Sequence, residues 1–204
     1  KGFAETLLSG ALDNPQLAEK FVGIIANESH RLEAIINDIL ELSRVEKRTV
    51  PLVNTQFDIV QVAHSMTEFF TKKAKKKQIS FSIVANEPVF YIGDQHRIEQ
   101  IFTNLIDNAL NYSDLDGQIN IHIWHKKRYV YFSVSDTGYG IPEENQERIF
   151  ERFYRVDKGR SRHSGGTGLG LAIVNNLIKN LDGRIELASE VGKGSKFTVT
   201  LPKK

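Results

Sequence analysis

The sequence predicts an α+β chain, a helical hairpin followed by a mixed unit of helices and strands. Three patterns carry this. Ala18, Phe21, Ile25, Glu28, Leu32, Ile35, Ile39 and Leu42 recur at alternating steps of three and four, and seven of these eight are apolar; that spacing is one face of a long helix. Residues 129–134 are almost wholly Tyr, Val and Phe, a strand signature. Ile98, Ile101, Phe102, Leu105, Ile106 and Ala109 return to helical spacing.

Taken in order, Phe3, Leu7 and Leu8 share a helical face. Asp13-Asn14-Pro15 then breaks and restarts the chain, with Asn as cap and Pro at the first helical position. Ile24, Ile36 and Leu40 widen the apolar stripe of the second helix. Two short antiparallel helices have too little partner surface for that stripe, so self-association into a four-helix dimer is the expected solution. Residues 1–47 form the hairpin, 48–56, with Pro51, a linker, and 57–204 the second unit. Helix is expected over residues 59–77, ending in Lys72, Lys73, Lys75, Lys76 and Lys77. We read that run as a solvated C-terminus favoured by the helix dipole. Strands are expected over 79–85 and 89–92, a helix over 94–111, a hairpin over 118–125 and 129–135, and a short helix over 143–152. Residues 156–164 are polar and basic, without periodicity, and suit a lid. Strands over 184–189 and 196–201 close the sheet.

Three segments carry chemistry. Asp136-Thr137-Gly138-Tyr139-Gly140-Ile141-Pro142 follows the strongest strand. A carboxylate at a strand end accepts a hydrogen bond from an exocyclic amine, and the glycines let backbone approach a flat ligand closely. Gly165-Gly166-Thr167-Gly168-Leu169-Gly170-Leu171 opens an apolar helix, whose free N–H groups suit phosphate. Asn104 and Asn108 lie one turn apart on the 94–111 helix. Amide oxygens are hard neutral ligands for Mg²⁺ already bound to phosphate, and buried amides without partners are costly.

In this order the segments resemble the N box and the two glycine boxes of sensor histidine kinases. Phe150-Glu151-Arg152-Phe153-Tyr154-Arg155 resembles the F box, and Gly192-Lys193-Gly194-Ser195 the final glycine motif. The likeness spans nearly the whole chain and is nearest to bacterial phosphate-regulon and cell-wall sensors. It implies a two-layer α/β sandwich ATP-binding domain, shared with gyrase, heat-shock and mismatch-repair proteins, preceded by a truncated dimerisation and phosphotransfer hairpin. It implies ATP and Mg²⁺ as cofactors and phosphoryl transfer to a histidine, then to the aspartate of a response regulator. Carried over residue by residue, Asp136 reads adenine, Asn108 holds Mg²⁺, and Asn104 has the catalytic place on the phosphate side. Tyr112 packs near the base, Arg155 reaches the phosphates, and Gly166, Gly168 and Gly170 form the phosphate-facing turn. Asn111, Gly138, Gly140, Ile141, Phe150, Thr167, Leu169 and Leu171 complete the implied nucleotide site. One departure is Asn111, where many relatives carry a phosphate-contacting Lys; its loss calls for compensation by Arg155, Lys158, Arg160 or Arg162.

Composition bounds the alternatives. The 204 residues carry a formal charge of +2 and no Cys, which argues against nucleic acid as partner and excludes disulfides and thiolate metal sites. No apolar run approaches the roughly 18 residues that span a bilayer, and no signal peptide is visible. The chain opens at Lys1 without Met, and we read it as the cytoplasmic portion of a longer, membrane-anchored bacterial sensor that meets the membrane only through upstream segments. His30 stands in Ser-His-Arg-Leu on the second helix, off the stripe, whereas the family's acceptor lies in Ser-His-Glu-x-Arg-x-Pro on the first. By the family pattern that segment falls about two to three turns before Lys1. This chain is therefore expected to bind nucleotide but not to phosphorylate itself. His64, His96, His122, His125 and His163 show no acid or metal-ligand context in the sequence. A hydrolysing ATPase of the gyrase or chaperone kind places Glu where Asn104 stands, and an amide is no base. A serine kinase acting as an anti-sigma module needs no hairpin, and a scaffold needs no glycine segment.

Overall fold

The computed structural model describes residues 2–47, 53–156 and 166–203. Helix α1 (Gly2–Leu8) and a 3-10 turn (Ala11–Asp13) lead into α2 (Pro15–Lys47), a 33-residue helix. Asn14 caps it as the sequence predicts, its Oδ1 accepting from the N–H groups of Gln16 (3.1 Å) and Leu17 (3.2 Å). α1 folds back along α2, with Phe3 and Phe21 rings 5.6 Å apart. Leu32, Ile36, Ile39 and Leu40 of the stripe stay exposed, and only Leu42 and Val45 at the end of α2 are buried.

The second unit begins with β1 (Thr55–Asp58), antiparallel to β3 (Phe90–Gly93). The last residues of the expected linker, Thr55 and Gln56, thus pair with Gly93 and Ile92, while 48–52 lie outside the described residues. Asp58 ends the strand and caps α3 (Ile59–Lys76), its Oδ1 accepting from Val60 and Val89 N–H, both at 3.0 Å. After β2 (Ser80–Val84), α4 (Gln95–Tyr112) starts on the cap Asp94. β4 (Gln118–Lys126) and β5 (Tyr129–Asp136) form the predicted hairpin. The expected 143–152 helix is one α turn, α5 (Glu143–Gln146), followed by a 3-10 turn (Arg148–Phe150). Then come α6 (Gly170–Asn180), β6 (Arg184–Glu190) and β7 (Gly194–Pro202).

The main sheet runs β2-β4-β5-β7-β6, with only the β2–β4 pair parallel. Strand alternation sends Ile119, Ile121, Ile123, Val130, Phe132, Val134, Phe197, Val199 and Leu201 to one face, all buried. α4 and α6 cover that face with Ile98, Phe102, Leu105, Ile106, Ile173, Val174 and Leu177, and the Phe102 and Phe132 rings meet at 4.6 Å. This is the two-layer α+β sandwich expected. The other face carries a stack of His122, Trp124 and Tyr131.

Two local readings are corrected. The lysine run is not simply solvated: Lys73 Nζ bonds Asp107 (2.5 Å) and Asn111 (2.7 Å), and Lys77 Nζ bonds the Leu110 and Ser113 carbonyls. Packing of α3 beside α4 turns that side of the run inward. Among the described residues three histidines have acids beside them, and two of these, His96 and His125, are expected from the sequence to have none. His30 lies 3.8 Å from Glu33, His96 3.1 Å from Glu99 and His125 2.8 Å from Glu87. The first two follow from i,i+3 spacing on a helix, and the third from residues 38 apart in sequence.

Candidate nucleotide site

Alternation along β5 places Asp136 on the covered face, directly after Val130, Phe132 and Val134. Its Oδ1 accepts from the N–H groups of Gly138 (2.9 Å) and Ser195 (3.3 Å). No donor among the described residues reaches Oδ2. Burial pushes this carboxyl above the usual carboxylate range, and the two backbone bonds pull against that rise. A half-buried carboxylate with one oxygen held and the other unpaired is poised to accept from an amine.

The loop after it is clamped by protein on both sides. A Cβ on Gly138 would lie 2.2 Å from the Tyr112 carbonyl oxygen, which accepts from Tyr139 N–H at 3.1 Å. Gly140 has φ +69° and would bring a Cβ within 2.0 Å of the Glu190 carbonyl, so both its conformation and its space call for glycine. Ile141 N–H donates to Ser189 Oγ (2.8 Å), which donates to the Gly194 carbonyl (3.0 Å) and lies 2.9 Å from Ser195 Oγ. The nearest neighbours of these glycines are therefore protein backbone. Tyr139 OH also bonds Asp114.

α4 supplies the amides. Asn104 donates to the Gln100 carbonyl (2.9 Å), leaving its Oδ1 facing Gly170. Asn108 is half-buried, and its amide has no hydrogen-bond partner among the described residues. Asn111 is engaged on both ends, donating to Asp107 (2.8 Å) and accepting from Lys73 (2.7 Å). Tyr112, at the end of α4, is exposed. Leu169 is fully buried at the cap of α6, and Leu171, Ile141 and Phe150 pack on the core, Phe150 edge-on to Phe197. Gly166 lies beside the Arg155 guanidinium, and Gly168 O accepts from Phe153 N–H at 2.9 Å. Thr167 Oγ1 accepts from Leu169 N–H (3.2 Å) and donates to Asp38 of α2 (2.6 Å). Gly165, Lys158, Arg160, Arg162 and the expected lid over 157–164 lie outside the described residues.

The structure thus brings Asn104 against Gly170 and Tyr112 against Gly138, while Asp136 anchors the start of β7. Sequence reasoning missed Asp38, Asp107 and Ser189. No local signal marks them: each is a polar residue on an amphipathic element, and its role exists only across elements.

Residues 93–204, more than half the chain, match the model of the histidine kinase-, DNA gyrase B- and HSP90-like ATPases, and residues 1–48 match the His Kinase A (phospho-acceptor) domain. The chain belongs to the sensor histidine kinases. The sensor histidine kinase WalK of Bacillus subtilis (strain 168) is 35% identical over 207 residues, covering 100% of this chain and 34% of that protein. The sensor-like histidine kinase SenX3 of Mycolicibacterium smegmatis is 38% identical, covering 98% of this chain and 52% of that protein. This sensor histidine kinase chain therefore spans between a third and about half the length of those relatives. Among solved structures, full-length ShkA in complex with AMPPNP superposes with TM-score 0.79 at 26% identity, covering 93% of this chain and 39% of that one. Histidine kinase ThkA in complex with the response regulator TrrA gives TM-score 0.79 at 29% identity, covering 100% and 56%.

Proposed function

We propose that this chain binds ATP with Mg²⁺ and, in the whole protein, directs phosphoryl transfer to a histidine and onward to a response-regulator aspartate. The observation that carries the reading is Asp136, whose Oδ1 is fixed by two backbone N–H groups while Oδ2 is left for an exocyclic amine. The complex of ShkA with AMPPNP and that of ThkA with a response regulator support the nucleotide and the partner.

The residues present fit the group. Asn108, half-buried with an unpartnered amide, would hold the metal, whose charge would offset that of the phosphates. Among the described residues no cluster of three His, Cys, Asp or Glu could hold a metal ion, and phosphate oxygens and water would supply the remaining ligands. Asp136 orients the base. The N-terminus of α6, opened by Thr167, Gly168 and Gly170, receives phosphate oxygens. Asn104 is an amide bonded to the Gln100 carbonyl, with no capacity to take a proton from water, which favours transfer to a protein nucleophile over hydrolysis.

We divide the chain as hairpin 1–47, linker 48–56 and ATP-binding unit 57–204, with the hairpin as the homodimer interface. Among the described residues no helix is long and apolar enough to cross a membrane; we propose that the chain belongs to the cytoplasmic side of a membrane-anchored sensor.

Titration calorimetry with ATP and Mg²⁺ tests the first half, and an absence of heat under saturating conditions removes it. Incubation with labelled ATP tests the second. This chain, in which no Ser-His-Glu-x-Arg-x-Pro run occurs, should stay unlabelled, and a fusion that adds such a run should take acid-labile label. Label on His30 of this chain would overturn the placement of the acceptor.

A further inference from the structure

The last three turns of α2 are docked on the ATP-binding unit by one face of the helix. Asp38 bonds Thr167 (2.6 Å), Glu41 pairs with Arg97 (2.8 Å), the Val45 carbonyl accepts from Asn180 (2.7 Å), and Glu46 pairs with Arg152. Leu42 and Val45 are buried between them. The Arg97–Glu41 side chains are 14% and 24% exposed, so this pair is shielded from solvent and holds the helix in place.

Asp38 sits at an informative point of that contact. The hydroxyl it receives belongs to Thr167, whose oxygen in turn accepts from Leu169 N–H at the start of the eleven-residue α6. A carboxylate linked to a helix N-terminus through a threonine hydroxyl does what a phosphate oxygen would do there. A hydroxyl has a single hydrogen to donate, so Thr167 serves one anion at a time. The position is also costly for a charge: burial foremost, and Asp107 nearby, push the Asp38 carboxyl above the usual carboxylate range, against the Thr167 bond.

We propose that Asp38 is a built-in competitor for the nucleotide's phosphates at Thr167, so that docking of α2 and binding of nucleotide oppose each other. The proposal rests on the nucleotide reading of the site. With phosphate absent, the carboxylate holds the glycine segment and fastens the hairpin to the ATP-binding unit. With phosphate present, Thr167 turns to it, Asp38 loses its donor, and the end of α2 is held less firmly. Linkage makes the effect reciprocal: whatever factor the nucleotide takes from docking, docking takes from the nucleotide.

The chain has no cysteine, so Glu46→Cys with Arg152→Cys installs one reporter disulfide across the docked pair. Its rate of formation reads docking, and calorimetry with ADP and Mg²⁺ reads affinity. We expect Asp38→Ala to bind nucleotide roughly fivefold tighter or more, with Asp38→Asn, which keeps an acceptor without the charge, in between. Saturating nucleotide should slow the disulfide by a similar factor in the chain with Asp38, adenosine should not, and Asp38→Ala should show little slowing. A residue that merely held the fold would lower affinity or leave it unchanged on replacement. Nucleotide that binds without slowing the disulfide, or binds Asp38→Ala no more tightly, overturns the proposal alone; no nucleotide binding by the native chain and both variants overturns the nucleotide reading with it.

Discussion

A Cβ on Gly170 would lie 2.8 Å from Oδ1 of Asn104, so the first residue of α6 and the middle of α4 meet with no space between them. The atom in the way ends a side chain and can swing aside. Gly170→Ala should therefore leave the fold intact, since Ala is favoured over Gly in a helix by up to about 1 kcal/mol. The displaced Asn104 should cost about tenfold in nucleotide affinity, roughly 1.4 kcal/mol. Paired melting and calorimetry check this; a large loss of stability with affinity kept would contradict it.

Gly140 has no such escape. Its φ is +69°, and a Cβ there would stand 2.0 Å from the Glu190 carbonyl oxygen, so both obstacles are fixed by backbone. Gly140→Ala should destabilise by about 2 kcal/mol or more, visible as a lower denaturation midpoint at an unchanged slope.

Asp136→Asn keeps an acceptor for Gly138 and Ser195 but can present N–H where an amine needs an acceptor. A lost hydrogen bond to a charged group is worth about 1.5–3 kcal/mol, so nucleotide affinity should fall roughly 10- to 100-fold. Calorimetry showing an unchanged Kd would remove Asp136 from the site.

The same carboxyl sets a pH dependence. Burial raises its folded-state value above 3.8, the unfolded one. The folded state then holds the proton more tightly, so the ionised Asp136 lowers stability at neutral pH, and the penalty is lost as pH falls from the raised value towards 3.8. Asp136→Asn without nucleotide should be at least as stable as the native chain at pH 7, with the difference closing in acid. Nucleotide binding needs the ionised acceptor, so native affinity should weaken on acidification above pH 3.8, and that limb should be missing from Asp136→Asn. Chemical denaturation and calorimetry across pH 4–8 measure both.

On α2, Leu32, Ile36, Ile39 and Leu40 are exposed apolar residues within the stripe. Fully burying such a side chain is worth about 1.5–3 kcal/mol, and these four are about half exposed, so each has roughly half of that left to gain; the chain should dimerise with concentration in sedimentation equilibrium. Ile36→Glu with Ile39→Glu should hold it monomeric while leaving nucleotide affinity unchanged.

Much of this protein was legible before any tertiary contact was known. The 3.6-residue spacing of Ile98 to Ala109 and the alternation from Tyr129 into Asp136 fix which face of each element is covered, because burial has only that period to follow. Asn14 before Pro15 announces α2 because a cap bonds within three residues of itself. Asp136 and the two glycine segments stand out because each is a contiguous run with its own backbone demands. What only the fold decided are the contacts between runs. Gly138 is small because of Tyr112, 26 residues away, and Lys73 is held by Asp107 and Asn111 from the next helix. Asp38 meets Thr167 across 129 residues. Local periodicity is written in neighbouring residues, whereas a hydrogen bond between distant ones leaves no mark on the sequence around either partner.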